Sequence, residues 1–215
     1  MTEHIENKRK YFAFDVETTG LNSQQCAIVS IAYIILDDEL NAIDYEEIYA
    51  YPFEDAVIEP KAIEINGYSV EKWDEKGAVN QQELFEKLDN VLMCHTFSGP
   101  RTVSKNQIFA KLNKLTPLGY NVSFDLKFLK ELFIKNEESA DRYLESESVC
   151  VLKEIKKHDV LNECVQSDGY KLLNTCKRFE VTNDNPHQAM ADIRATVEVY
   201  KKLRELYENI KERED

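Results

Sequence analysis

Runs rich in apolar residues near the start of the chain predict three β-strands. The runs are KYFAFDVE (10–17), AIVSIAYIIL (27–36) and IDYEEIYAYPF (43–53). The segments between them, TGLNSQQ and DDELNA, are short and rich in turn-forming residues. Three strands joined in this way are expected to form an antiparallel meander.

Helical spacing of apolar residues follows the strands. In QQELFEKLDNVLMC (81–94), Leu84, Leu88, Val91 and Leu92 share one helix face. The apolar run LTPLGYN predicts a further strand that leads into the helix FDLKFLKELF, and helical patterns continue in CVLKEIKKHDVL, YKLLNTCKRF and HQAMADIRATVEVYKKLRELYENI. This order predicts an α/β fold with a mixed central sheet flanked by helices, as a single domain over residues 1–215 with a core of about 10–205.

Composition changes the picture in two ways. The net charge of −13 weighs against a nucleic-acid partner, because phosphate binding usually leaves a basic surface. A site that holds divalent cations is itself rich in carboxylates, however, and the cations then present the positive charge to phosphate.

The five cysteines are scattered without a C-x-x-C pair, and His158 and Cys164 show no paired metal-ligand spacing, so reduced thiols and no zinc site are expected. The polar first residues and the lack of a long apolar run predict a soluble, cytoplasmic protein with no membrane partner.

Asp15 and Glu17 stand one residue apart in the otherwise apolar first strand. Residues i and i+2 of a strand point to the same face, so the two carboxylates lie side by side while Phe14 and Val16 face the other way. Adjacent carboxylates repel unless one is protonated or a cation lies between them, and Mg²⁺ prefers such oxygen ligands. The alternative is an edge strand whose polar face is merely solvated.

Two further segments place carboxylates at element ends. Asp125 opens a helix just after a predicted strand end, where the alternative role is a first-turn acid stabilised by the helix dipole. In NDNPHQAMADIRA, Asn185 suits the N-cap and Pro186 the first helical position, so a helix is expected to start there, with Asp192 in its second turn. His187 and Asp192 would then reach one site only if His187 lies on a frayed helix entrance.

Three ordered motifs, FDVETTG, NVSFD and HQAMAD, resemble those of the DEDDh (DnaQ-like) exonucleases, and the resemblance extends from about residue 11 to residue 200. It implies a ribonuclease H-like fold and a 3′-to-5′ exonuclease that uses two Mg²⁺ or Mn²⁺ ions. It also implies metal binding by four acids and a general-base role for His187, while a second group binds the substrate. The four acids are Asp15, Glu17, Asp125 and Asp192; the substrate-binding group is Thr18, Thr19, Gly20, Asn66 and Asn121.

The resemblance further implies single-stranded DNA or RNA 3′ ends as substrates, release of nucleoside monophosphates, and a polymerase or another replication or repair protein as a partner. A catalytically inactive nucleic-acid-binding or scaffold protein on the same fold is the alternative. A calcium-binding loop at residues 182–185 is excluded by the missing glycine and terminal glutamate.

Residues 95–117 form a basic insert, longer than the usual link before the second motif. Residues 90–124 contain no acid, and their four basic residues are Arg101, Lys105, Lys111 and Lys114. We hypothesise that the insert supplies phosphate contacts; the alternative is a solvated surface helix.

Overall fold

The structure, a computed structural model, describes residues 9–97 and 112–214. The strands are β1 (Tyr11–Thr18), β2 (Ile28–Leu36), β3 (Ala42–Tyr49), β4 (Thr116–Gly119) and β5 (Val149–Cys150). The helices are α1 (Pro60–Asn66), α2 (Val70–Glu75), α3 (Gln81–Thr96), α4 (Val122–Lys135), α5 (Val151–Leu161), α6 (Leu172–Arg178) and α7 (Ala189–Glu214). A single 3₁₀ turn, Ala140–Arg142, follows α4.

The strands form one mixed sheet in the order β3-β2-β1-β4-β5. The pairs β1–β2 and β2–β3 are antiparallel, which confirms the predicted meander. β4 pairs with β1 in parallel, and β5 pairs with β4 in parallel. The α/β prediction is therefore correct, and the two parallel pairings bring chain segments from beyond residue 112 alongside the first strand.

Successive side chains of β1 point in opposite directions, so the sheet has two apolar faces, and helices cover each of them. Phe12 and Phe14 are fully buried in a core that α3 and α4 complete. Tyr11 and Ala13 belong to the opposite core, which α5 and α7 cover. Positions 15 and 17 continue this second face, so the two carboxylates emerge at the edge of the layer formed by α7.

The start of the C-terminal helix differs from the prediction. α7 begins at Ala189, not at Pro186, and Asp192 lies in its first turn. The reason lies in the backbone of His187, whose φ of 66° is in the left-handed region and cannot continue a helix. Asn185 instead accepts a turn hydrogen bond from the backbone N–H of Gln188, at 3.3 Å.

Two other differences concern strand ends and short elements. β3 ends at Tyr49, before Pro52, and not at residue 53. Cys150, the first residue of the predicted helix CVLKEIKKHDVL, instead belongs to β5 with Val149, and α5 begins after it at Val151. Of the predicted insert 95–117, residues 98–111 lie outside the described part of the chain, while the flanking Phe97 and Leu112 form an isolated β-bridge. Within the described ranges, no helix combines the length and the apolar character that crossing a membrane requires.

Candidate active site

The first motif places two carboxylates opposite small residues of β2. Asp15 pairs with Ala32, and Glu17 pairs with Ser30, so neither acid faces a bulky neighbour on its own side of the sheet. Both acids are half-buried at the end of β1, where the α7 layer begins. The strand thus presents the two side chains together, as the sequence predicts.

Asp192 joins them from the first turn of α7. One carboxylate oxygen each from Asp15, Glu17 and Asp192 lies within 4.8 Å of the others, which is a separation that one bound cation could bridge. Ala189 and Ala195 are buried beneath α7, and these small side chains let the helix approach the sheet closely. Three of the four predicted acids therefore converge, although Glu17 and Asp192 lie near opposite ends of the sequence.

Asp125 reaches the same cluster from the first turn of α4. It is buried, and its Oδ1 accepts a hydrogen bond from the backbone N–H of Val16, at 3.1 Å. Its charge is the largest electrostatic influence on Asp15 after burial itself. The second motif is thus anchored directly on the first.

The pKa values of these carboxyls report their crowding. Burial, followed by repulsion from Asp125, Glu17 and Asp192, raises the pKa of Asp15 well above its usual range. Burial and then Asp192 raise the pKa of Glu17 to about 8, and burial raises the pKa of Asp125 to about 7 against opposing backbone hydrogen bonds. Such a cluster favours either bound protons or bound cations. Since every donor atom is a carboxylate oxygen, the residues fit hard divalent ions such as Mg²⁺ or Mn²⁺.

His187 lies at the mouth of the cluster on the segment before α7. Its backbone N–H donates to Asp192 Oδ2 at 3.2 Å, and the residue is exposed. Together with Glu17 and Asn66 it lines a groove of about 210 Å³. His187 therefore lies beside the acids but outside the helix. This is the position in which the sequence analysis expects His187 and Asp192 to reach one site.

The residues Thr18, Thr19 and Gly20 form the turn after β1. The Thr18 hydroxyl donates to the Gly20 carbonyl at 2.7 Å. Thr19 is fully buried; its hydroxyl donates to the Val57 carbonyl at 2.7 Å and accepts from the Ala27 amide at 2.9 Å. These bonds hold the turn in shape, so in the described structure the two hydroxyls serve the protein backbone.

Asn66 and Asn121 occupy different edges of the site. Asn66 donates from Nδ2 to the Thr18 carbonyl at 2.9 Å, and this contact ties the end of α1 to the first motif. Asn121 precedes α4 at the end of β4 and makes no side-chain capping bond. Substrate contacts by this group and by the Thr18–Gly20 turn stay predictions.

Two residues near the acids were not predicted. Glu47 of β3 pairs with Ala32, which itself pairs with Asp15, and the charge of Glu47 adds to the raised pKa of Asp15. Asn183 donates from Nδ2 to Asp192 Oδ1 at 2.6 Å. Strand register could have indicated Glu47, but periodicity alone does not give register. For Asn183 the sequence offered only its position four residues before His187.

A separate cluster joins His158, Asp159 and Cys164, which each place one ligand atom within 4.8 Å of the others. Its centre is already neutralised, because Arg178 forms an ion pair with buried Asp159 at 2.5 Å. Burial opposes ionisation of Asp159, but hydrogen bonds from His158 and Arg178 outweigh it and lower the pKa. The cluster therefore forms a polar contact around buried Asp159 between α5 and α6.

Comparison with known proteins supports one family. Residues 12–99 match the family model described as Exonuclease. Ribonuclease T of Shewanella denitrificans is 26% identical over 193 residues, covering 86% of this chain and 76% of the relative. Ribonuclease T of Vibrio parahaemolyticus is 27% identical over 206 residues, covering 89% and 85%. These alignments extend well past the residues that the family model matches.

Solved structures of exonuclease I share the fold. One superposes with a TM-score of 0.72 at 21% identity and covers 92% of this chain. The E. coli enzyme in complex with a dT13 oligonucleotide gives a TM-score of 0.70 at 22% identity. The chain spans about 41% of the length of the first of these structures. The likeness confirms the predicted ribonuclease H-like fold.

The fold and the family match together place this chain beside the exonucleases, a class of hydrolases. The match at residues 12–99 and the Ribonuclease T relatives agree with the exonuclease resemblance that the motifs carry. The matched family is of the kind that uses divalent metals, and the carboxylate cluster has the donor set for them.

Proposed function

We propose that the protein hydrolyses single-stranded DNA or RNA from the 3′ end with two divalent cations, Mg²⁺ or Mn²⁺, and releases nucleoside monophosphates. The observation that carries the proposal is the meeting of Asp15, Glu17 and Asp192 within 4.8 Å, with Asp125 held against β1 beside them. The names of the Ribonuclease T relatives support RNA as one substrate, and the oligonucleotide bound to exonuclease I supports single-stranded DNA.

The four acids would hold the cations, which would lower the barrier by stabilising charge on the attacking and leaving oxygens. A cluster whose carboxyl pKa values are raised by burial and repulsion gains most from cations, because they replace protons that would otherwise be retained. The proposed role of the protein is therefore to keep these carboxylates close together and ready to ionise.

His187 would act as the general base. The water oxygen forms a bond to phosphorus, and the imidazole accepts the proton that the water loses. The bond from phosphorus to the 3′ oxygen of the preceding nucleotide breaks, and that oxygen takes a proton from solvent. The exposed position of His187 beside Glu17 suits this exchange with solvent. Only an unpaired terminus can bring its last phosphodiester to a site of this kind, which is why single strands are the proposed substrates.

A gel assay tests the proposal. A 5′-labelled DNA or RNA oligonucleotide is incubated with Mg²⁺ or with EDTA, and Asp15→Ala is the control. Stepwise shortening from the 3′ end that is absent with EDTA and in the variant is the expected result. Intact substrate in every lane would instead favour an inactive binding or scaffold protein.

A further inference from the structure

Asn183 and His187 bind the two oxygens of the Asp192 carboxylate. Asn183 Nδ2 donates to Oδ1 at 2.6 Å, and the His187 backbone N–H donates to Oδ2 at 3.2 Å. Residues 183–187, here called the 183–187 loop, are thus attached to Asp192 at both ends. The loop carries the proposed general base. The Asp192 carboxylate, itself a proposed metal ligand, therefore also helps to hold the base in position.

The orientation of the Asn183 amide follows from charge. Its NH₂ group faces the carboxylate, whereas a flipped amide would place two acceptor oxygens against each other. The other end of the amide, Oδ1, is buried and has no hydrogen-bond partner among the described residues. A buried acceptor without a partner is unfavourable. The contact with Asp192 is therefore the interaction that accounts for an amide at this position.

The backbone of the loop depends on the same carboxylate. His187 has a φ of 66°, in the left-handed region that few residues other than glycine adopt, although histidine, asparagine and aspartate enter it more often than the rest. This conformation turns the His187 N–H back toward Asp192 and delays α7 until Ala189. A strained backbone of this kind persists only where surrounding contacts support it.

We propose that Asn183 is a positioning residue, whose amide holds the Asp192 carboxylate in the orientation that binds a cation and keeps the 183–187 loop attached beside it. This inference rests on the proposed function, because it takes Asp192 to be a metal ligand. Each Asp192 oxygen that accepts one hydrogen bond keeps a further lone pair for a cation. Partners that orient ligating groups are commonly worth about 10-fold to 100-fold in metal affinity.

Binding of Mn²⁺ alone, measured by calorimetry on the full chain, tests the inference without substrate. Asn183→Leu keeps the number and branching of the side-chain heavy atoms but cannot donate, and it is expected to raise the Mn²⁺ dissociation constant about 10-fold to 100-fold. The matched control is Asn185→Leu, since Asn185 is an exposed asparagine of the same loop. The control is expected to bind Mn²⁺ as the natural chain does.

Thermal unfolding separates positioning from a purely structural role. A bound cation raises the unfolding temperature, and this rise becomes smaller as the affinity becomes weaker. In Asn183→Leu, the rise between EDTA and Mn²⁺ is expected to shrink. A purely structural role would lower both temperatures equally and leave the rise unchanged.

Asn183→Ala is the second variant in case the leucine does not fit, and the same weakening is expected. Mn²⁺ binding by these variants that equals the natural chain would overturn the inference while leaving the proposed function intact. Absence of Mn²⁺ binding by the natural chain would overturn the proposed function, and with it the inference.

Discussion

The backbone N–H of Val16 donates to Oδ1 of Asp125, 109 residues away in sequence, at 3.1 Å. β4 pairs with β1 only from Tyr11 to Ala13, so β1 continues beyond its parallel neighbour and its later amides need other partners. Asp125, in the first turn of α4, supplies one of them. The bond connects two sequence motifs through the main chain, and it fixes Asp125 beside the acids of β1.

Replacing Asp15 by asparagine should abolish hydrolysis and stabilise the metal-free fold. Burial and four neighbouring acids raise the pKa of Asp15, so a neutral side chain relieves repulsion at pH 8. Each pKa unit relieved is worth about 1.4 kcal/mol. For a chain of this size, that corresponds to a rise in unfolding temperature of roughly 3–6 °C in EDTA. Calorimetric melting with the gel assay measures both effects; a destabilised Asp15→Asn would show that Asp15 has a structural role.

The stability of the metal-free protein should fall as pH rises from about 5 to about 8. The folded pKa is about 8 for Glu17 and about 7 for Asp125, both above the unfolded values. The folded state therefore binds more protons than the unfolded state in this range, and stability present at low pH is lost as these carboxyls ionise. Urea unfolding in EDTA at several pH values measures the slope, and Glu17→Gln should reduce it. Stability that increases across this range would contradict the crowding of the acids.

Bound metal should reverse the loss of stability that the metal-free protein shows as pH rises. Cations replace protons in the cluster, so Mn²⁺ binding at pH 6 should release protons, and the number released should depend on pH. The heat of Mn²⁺ binding in two buffers of different ionisation enthalpy measures this release. An equal heat in both buffers would mean that the cation binds elsewhere.

Substituting His187 by asparagine should lower kcat by a factor of about 10² to 10⁴ while Mn²⁺ still binds. Asparagine tolerates the φ of 66° found at this position, and its backbone N–H can still donate to Asp192. The variant thus removes the imidazole while preserving the loop. Single-turnover rates and Mn²⁺ titration are the measurements. A variant with full activity would show that another group accepts the proton.

Gly20→Ala should destabilise the fold by about 1–3 kcal/mol. A Cβ at Gly20 would lie 2.5 Å from the carboxyl carbon of Glu59 and 2.6 Å from Cys26 Sγ. Glu59 accepts a hydrogen bond from the Leu21 amide, so it cannot move without breaking that bond. Adding Glu59→Ala should recover part of the stability in chemical unfolding. No recovery would place the conflict at Cys26 alone.

Phosphate binding by the basic insert should appear in the salt dependence of substrate affinity. Replacing Lys105 and Lys111 by alanine should flatten the slope of log affinity against log salt by roughly 0.7 for each lysine that binds a phosphate of the single strand. Adding Arg101→Ala should flatten the slope further, whereas Lys114→Ala should change it least, because the Lys114 ammonium already donates to the Asp141 carbonyl at 2.7 Å. Binding is measured with Ca²⁺ in place of Mg²⁺; an unchanged slope in the double variant would remove the hypothesis.

Local patterns predicted the elements better than their ends. The three opening strands agree with the prediction to within a few residues, because strand periodicity depends on neighbouring side chains. Asn185 and Pro186 are good helix-start signals in isolation, so the start of α7 that they predict is wrong by three residues. The contact of the His187 amide with Asp192 outweighs those signals, and it is a contact that cap preferences do not reveal.

The amino-acid sequence is enough to establish the α/β class, to place Asp15 and Glu17 on one strand face, and to identify the candidate acids. These features depend on spacing over a few residues, and so they can be read locally. No local pattern shows that Asp125 and Asp192 meet that pair, that the charge of Glu47 adds to theirs, or that Asn183 donates a hydrogen bond to Asp192. Those contacts depend on the parallel docking of β4, the register of β3 and the approach of α7, which are set by packing between distant segments.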